Sequence, residues 1–175
     1  MLKLVRQFLL LTAVALWAHQ LAVPGAASTC ESAARLLLTA DEALVVRLIN
    51  AERLEWGLEP LLGDGVLIRV AREHSRDMAE RGYFAHLAPN RVARTPLDRY
   101  AAALGRRPDT VVAENIGRAG EPVMGMIHAF MMGSPAHKAN ILDPEYVRLG
   151  VGIHMLPDGR VWVTEMFRGP LPQTR

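Results

Sequence analysis

An α+β fold, with helices interspersed along a small, mostly antiparallel sheet covered on both faces, is the class this sequence predicts. Three observations predict it. The chain closes with two runs of strand character, Val147 to Met155 and Val161 to Phe167, joined by Leu156-Pro157-Asp158-Gly159-Arg160, where Asp-Gly is a good hairpin turn. Upstream lie amphipathic segments with helix start and stop signals. Finally, half of the 175 residues are hydrophobic, which suffices for one domain with a sizeable core and helices over both sheet faces.

Residues 1–28 combine a basic start (Lys3, Arg6), an apolar run from Phe8 to Ala18 and a small-residue tail at Pro24-Gly25-Ala26-Ala27-Ser28. The run is far short of the roughly 20 residues a membrane span needs, so the segment reads as a secretory signal peptide cleaved after Ala27 or Ser28. The mature protein is expected outside the cytoplasm, extracellular or periplasmic, with no stable membrane span. Cys30 is the only cysteine, so no intrachain disulfide forms, and lipidation at Cys30 is the lesser alternative to a free thiol. Removing Lys3 and Arg6 from 20 basic residues leaves 18 against 18 acidic ones, and a net charge near zero argues against nucleic acid as a partner. Residues 29–38 are read as a linker, 39–170 as the domain and 171–175 as a tail.

The first helix starts at Thr39, whose spacing to Glu42 is that of a capping box, carries the apolar stripe Leu44, Val45, Leu48 and Ile49, and ends at Gly57. Pro60 to Gly63 reads as a turn. Asp64 caps a second helix with the inward face Leu67, Val70, Ala71, His74 and Met78, ending at Gly82. Thr95-Pro96 opens a third that runs to Gly105. Thr110 to Ile116 mixes β-branched residues with a charged end, as a short strand leading out to a site does. Glu121-Pro122 begins a fourth helix with Val123, Ile127 and Met131 inward, and Ser134-Pro135 a fifth that Asp143-Pro144 stops. In the strand that follows, Gly150 and Gly152 mark places where another backbone or a ligand comes close.

Of the six histidines, His19 leaves with the signal peptide, His74 lies on an apolar helix stripe and reads as a packed core residue, and nothing near His128 or His154 suggests chemistry. His86 follows an aromatic pair in a loop, where binding groups concentrate, and His137 stands in the first turn of a helix. Glu114 at the end of a strand is a site candidate, or else caps a helix or pairs with Arg118. Two imidazoles and a carboxylate can bind zinc, yet the separations of His86, Glu114 and His137 do not by themselves link them. Ser134 with His137 invites a nucleophile-base reading, but no oxyanion hole accompanies it. Met124, Met126, Met131 and Met132 read as core filling, with an adaptable wall for a lipid as the sharper alternative.

Six ordered motifs then come together: Leu48-Ile49-Asn50 with Arg53 and Gly57-Leu58; His74-Ser75 with Asp77-Met78-Ala79; Tyr83-Phe84-Ala85-His86; Ala113-Glu114-Asn115-Ile116; Ser134-Pro135 with His137 and Asn140-Ile141-Leu142; and Val161-Trp162-Val163-Thr164 with Phe167. In this order the stretch from Thr39 to Phe167 resembles the CAP superfamily, the cysteine-rich secretory, antigen 5 and pathogenesis-related-1 proteins, in its bacterial form. The resemblance implies an α-β-α sandwich with a three-stranded antiparallel sheet. It also implies a cleft lined by two histidines and two glutamates that takes a divalent metal, with His86, Glu114 and His137 as the matching positions and zinc as the expected ion. The second glutamate has no match, because Phe130-Met131-Met132-Gly133-Ser134 contains no acid, and Met131 stands where the bacterial pattern usually has tryptophan. No single activity is implied, since members have been linked to sterol and lipid binding, antimicrobial defence, ion-channel block and proteolysis. The sequence therefore favours a secreted binding protein for a divalent metal and a small apolar or envelope-derived ligand. A metal-assisted hydrolase with Glu114 as base is the alternative, and an adhesion domain with a vestigial cleft a third reading.

Overall fold

The computed structural model describes residues 38–89 and 92–171, so the signal-peptide and Cys30 readings, most of the linker and the tail after Leu171 lie outside the described residues. The elements are α1 (Ala40–Glu55), β1 (Leu62–Gly63), α2 (Gly65–Arg81), α3 (Pro96–Leu104), β2 (Val111–Ala119), α4 (Met124–Gly133), α5 (Pro135–Ile141), β3 (Arg148–Met155) and β4 (Val161–Gly169). No described helix is long and apolar enough to cross a membrane.

The helix signals act as the local chemistry requires. Thr39 and Glu42 form the capping box of α1, Asp64 accepts from the amides of Val66 and Leu67 at the start of α2, and Thr95 with Asp98 caps α3. Gly82 and Gly105 end α2 and α3 with φ of 70° and 69°, a conformation glycine adopts without steric cost. Two details differ from expectation. Val123 precedes the first turn of α4 and is half exposed, while Ile127 and Met131 do point inward. Ser134 ends α4 and starts α5 at once, and its hydroxyl makes no capping bond.

The sheet has four strands in the order β1-β3-β4-β2, with β3-β4 and β4-β2 antiparallel and β1 parallel to β3. The added strand is the short segment read as a turn. Asn50 on α1 grips Leu61 from both sides, donating to its carbonyl at 3.1 Å and accepting from its amide at 2.8 Å, and so lays Leu62 beside Val147 and Arg148. A two-residue strand carries no periodicity to read.

Alternation along β4 sorts the layers. Val161, Val163 and Phe167 face a core shared with Val45 and Ile49 of α1, Met124, Ile127 and Met131 of α4, and Ile141 of α5. Met166 faces Leu67, Val70 and Ala71 of α2 and Tyr100 of α3, and Trp162 packs with Met78 and Ile116. Helices thus cover both faces, as the resemblance implied. Met124 and Met131 fill the core, whereas Met126 is exposed.

Candidate functional site

β2 is an edge strand, and the alternation that sorts the layers sends its two adjacent polar residues to opposite faces. Glu114, in register with Met166, points to the α2/α3 side; Asn115, in register with Glu165, points to the α1/α4/α5 side. The site is built around this edge.

On the first face the Glu114 carboxylate is almost wholly buried and compensated from several directions. Arg99 of α3 donates to Oε2, and His86 places Nδ1 3.0 Å from Oε1, with His74 Nε2 3.7 Å from the same oxygen. A buried carboxylate needs such partners, and Arg99 supplies the compensating charge. Arg99 also donates to the backbone carbonyls of His86 and Arg94, so one guanidinium holds both the carboxylate and the loop carrying His86. Neither alternative for Glu114 alone is realised. It caps no helix, and Arg118 lies over the ring of Phe84 instead.

His74 is packed in the core, as read from its helix stripe, but it also borders the site. Burial lowers its basicity, and its Nε2 donates to the Ala85 carbonyl at 3.2 Å. Tyr83 donates its hydroxyl to Asp77 at 2.5 Å and stands 3.5 Å from His74 Nδ1; burial and Asp77 push the phenol pKa up. Arg99, His74, Tyr83 and Asp77 were not marked as site residues in the sequence. Tyr83, His74 and Asp77 lay within the matched motifs, whereas Arg99 sits on a helix whose local pattern shows only an amphipathic surface.

On the second face Asn115 is the hub. Its Nδ2 donates to the His137 carbonyl at 3.1 Å and to Glu165 Oε2 at 3.0 Å, while its Oδ1 accepts from Asn140 at 2.8 Å. His137, in the first turn of α5, is partly buried. Its basicity is lowered by burial and then by the charge of His86. The structure therefore brings His86 to Glu114 directly and His137 to the same strand edge from the other face.

This donor set fits a metal in a particular way. Among the described residues no three His, Cys, Asp or Glu side chains converge to hold an ion together, and Glu114 spends its oxygens on Arg99 and His86. His86 Nδ1 lies 3.0 Å from Glu114 Oε1, so in the neutral tautomer that donates there Nε2 would carry the lone pair, and His137 is the second imidazole near this strand edge.

Glu165 is the most unusual group nearby. It is fully buried on β4, Asn115 is the one hydrogen-bond partner of its side chain among the described residues, and burial raises its pKa to about 7. An acid whose folded pKa is raised contributes stability that is complete below its unfolded value and is lost as pH rises through the folded one. The difference in unfolding free energy between wild type and Glu165→Gln is therefore expected to shift by about 3 kcal/mol from about pH 4 to about pH 8, to the benefit of the variant. Buried His74 and His128 and partly buried His137, all with lowered pKa, act oppositely and destabilise on acidification in both proteins, so the comparison cancels them. Urea unfolding across that range is the measurement, and parallel curves would refute the buried carboxylate.

A charged cavity borders these groups, and a more apolar one lies apart from them. One of about 520 Å³ borders His74 and Arg99 and is largely charged, with Arg69, Glu73, Arg76 and Asp77 in its wall. The more apolar one, about 640 Å³, lies beside Leu58, Pro60, Leu62, Tyr146 and Val147 and does not include His86 or His137. Apolar groups beside the site itself are Phe84 and Leu87, both substantially exposed on the His86 loop.

Comparison with known proteins gives a consistent picture. The family model CAP, described as the cysteine-rich secretory protein family, matches residues 46–167. Uncharacterized protein YkwD of Bacillus subtilis is 36% identical over 132 residues, 75% of this chain and 48% of that protein, so the chain spans about half the length of this curated relative. An extracellular protein containing a SCP domain from Bacillus anthracis has a similar structure, with a TM-score of 0.61 and 27% identity over 73% of this chain and 39% of that one. NaASP2, solved with Zn2+, has a TM-score of 0.53 at 10% identity over 74% of this chain and 80% of that one, a likeness of fold alone.

Proposed function

This chain belongs to the CAP, or cysteine-rich secretory protein, family, and from that premise we propose that it is a secreted binding module whose cleft takes a divalent metal, zinc, between His86 and His137. The observation that carries the reading is the bond from His86 Nδ1 to Glu114, which orients the ring and leaves Nε2 as the donor atom. Glu114 acts as the orienting partner and Arg99 holds it in place. The bound metal would supply a Lewis acid with open positions for water or a ligand group. Phe84 and Leu87 give a small apolar or envelope-derived ligand its contacts beside the metal. The zinc in NaASP2 belongs to a distant relative and is support by analogy of fold. Export agrees with the extracellular description of the Bacillus anthracis neighbour. Binding is favoured over hydrolysis because Glu114, the base a hydrolase would need here, is paired with Arg99.

Calorimetric titration of zinc tests this reading. Wild type is expected to take up one equivalent, His86→Ala and His137→Ala to lose about 100-fold or more in affinity, and the melting temperatures to stay close, because both side chains are partly exposed. Affinity is expected to fall below about pH 6 as the imidazoles protonate. Equal affinities in the three proteins, or no uptake by wild type at neutral pH, would refute the site.

A further inference from the structure

We propose that Glu165 is a positioning residue for His137, acting from inside the sheet by fixing the orientation of the Asn115 amide; this rests on the His86–His137 reading above. α5 has seven residues and its Ser134 makes no capping bond, so it has little stability of its own and its place is set by tertiary contacts. On the sheet side those contacts run through Asn115, which holds the His137 carbonyl with its amide nitrogen and the Asn140 side chain with its oxygen.

An asparagine amide can turn over, exchanging nitrogen and oxygen. Turned over, Asn115 would set its oxygen against the His137 carbonyl and its nitrogen against the Asn140 amide, losing both bonds. The neighbour that discriminates between the two orientations from below is Glu165, whose Oε2 accepts the other Nδ2 hydrogen at 3.0 Å. In exchange the core keeps a carboxyl group with no exposed surface and one oxygen without a hydrogen-bond partner among the described residues, in a strand face otherwise filled by Val161, Val163 and Phe167. Leucine would pack that position more favourably. A group that is unfavourable for the core and contacts the hub of the His137 arm fits positioning, not packing. It places an acid behind His137 although α4, where the family pattern carries its second glutamate, has none.

The test compares Glu165→Leu, which removes the acceptor, with Glu165→Gln, which keeps one. Three readouts apply at about pH 8, where Glu165 is mostly ionised: melting temperature, the imidazole NMR signals of His137 without metal, and zinc affinity. Glu165→Leu is expected to melt at or above wild type, yet to broaden or split the His137 ring signals and to weaken zinc by about tenfold or more. Glu165→Gln is expected to restore the ring signals and bring affinity to within about threefold of wild type. Unchanged ring signals in Glu165→Leu would overturn the proposal, as would a large fall in its melting temperature, which would make the role structural. If wild type binds no zinc, the metal reading fails by itself, and the ring signals still decide the role of Glu165.

Discussion

Gly152→Ala is expected to lose about 3–5 kcal/mol of stability, with Gly150→Ala close behind. A Cβ at Gly152 would stand under 3.0 Å from Arg72 N, Ala71 C and Arg72 Cα, and one at Gly150 equally close to Ile68 N, Leu67 C and Leu67 Cβ. These obstacles are mostly main-chain atoms of α2, which cannot step aside as a side chain can. The helix would have to move away from β3. That movement would disturb the bonds that lock the two together, from Ser75 Oγ to the Gly152 carbonyl at 2.9 Å and between Ser75 and Thr164 hydroxyls at 2.8 Å. It would also displace His74, carried on the same helix. Gly125→Ala is the control. It lies in α4 with nothing within 4 Å of its would-be Cβ, so the change is expected to be neutral or to stabilise by about 0.5–1 kcal/mol. Urea unfolding of the three variants measures this, and a loss below about 1 kcal/mol for Gly152→Ala would show that α2 does not lie so close to β3.

Arg53→Met is expected to cost about 3–5 kcal/mol, lowering the melting temperature by roughly 10 °C in a domain of this size. The Arg53 side chain is nearly inaccessible and donates to the backbone carbonyls of Glu59 at 2.9 Å, Ile141 at 2.8 Å, Asp143 at 2.9 Å and Tyr146 at 3.3 Å. Burial lowers its pKa and Asp143 offsets part of that, but a guanidinium stays charged. Methionine fills much of the volume and donates to none of those carbonyls, and the Ile141 carbonyl, bonded in the buried interior, loses its Arg53 donor. Arg53→Lys is expected to recover little, because an ammonium cannot present a planar fork to groups in several directions. Since Ile141 is the last residue of α5, zinc affinity should weaken along with stability. Calorimetric melting of both variants is the check, and a lysine variant as stable as wild type would show that the four carbonyls do not depend on the fork.

Much of the fold was legible because its signals are local. Thr39, Asp64 and Thr95 cap their helices through side chains a few residues from the amides they satisfy, and Asp158-Gly159 turns the hairpin between β3 and β4. What escaped was made by distant partners. β1 exists because Asn50 grips Leu61, and the exposure of Val123 depends on where the first turn of α4 begins. The same division runs through the site. His86, Glu114 and His137 were each candidates on local grounds, and only their place in a matched order of motifs linked them. That Glu114 is held by Arg99, and that His74 serves the core and the site together, required the fold.

By itself, then, the sequence determined the caps of α1, α2 and α3, the hairpin, and that β3 carries two glycines where another backbone or a ligand comes close. Tertiary structure alone decided what those residues meet: α2 against Gly150 and Gly152, Arg99 and His86 against Glu114, and Glu165 with the His137 arm against Asn115. The physical reason is range. Caps, turns and alternation are enforced by steric and hydrogen-bonding rules within a few residues. The pairing of a buried carboxylate is set by whichever donors packing brings to it, and Arg99 is 15 residues from Glu114, while Glu165 is 50 from Asn115.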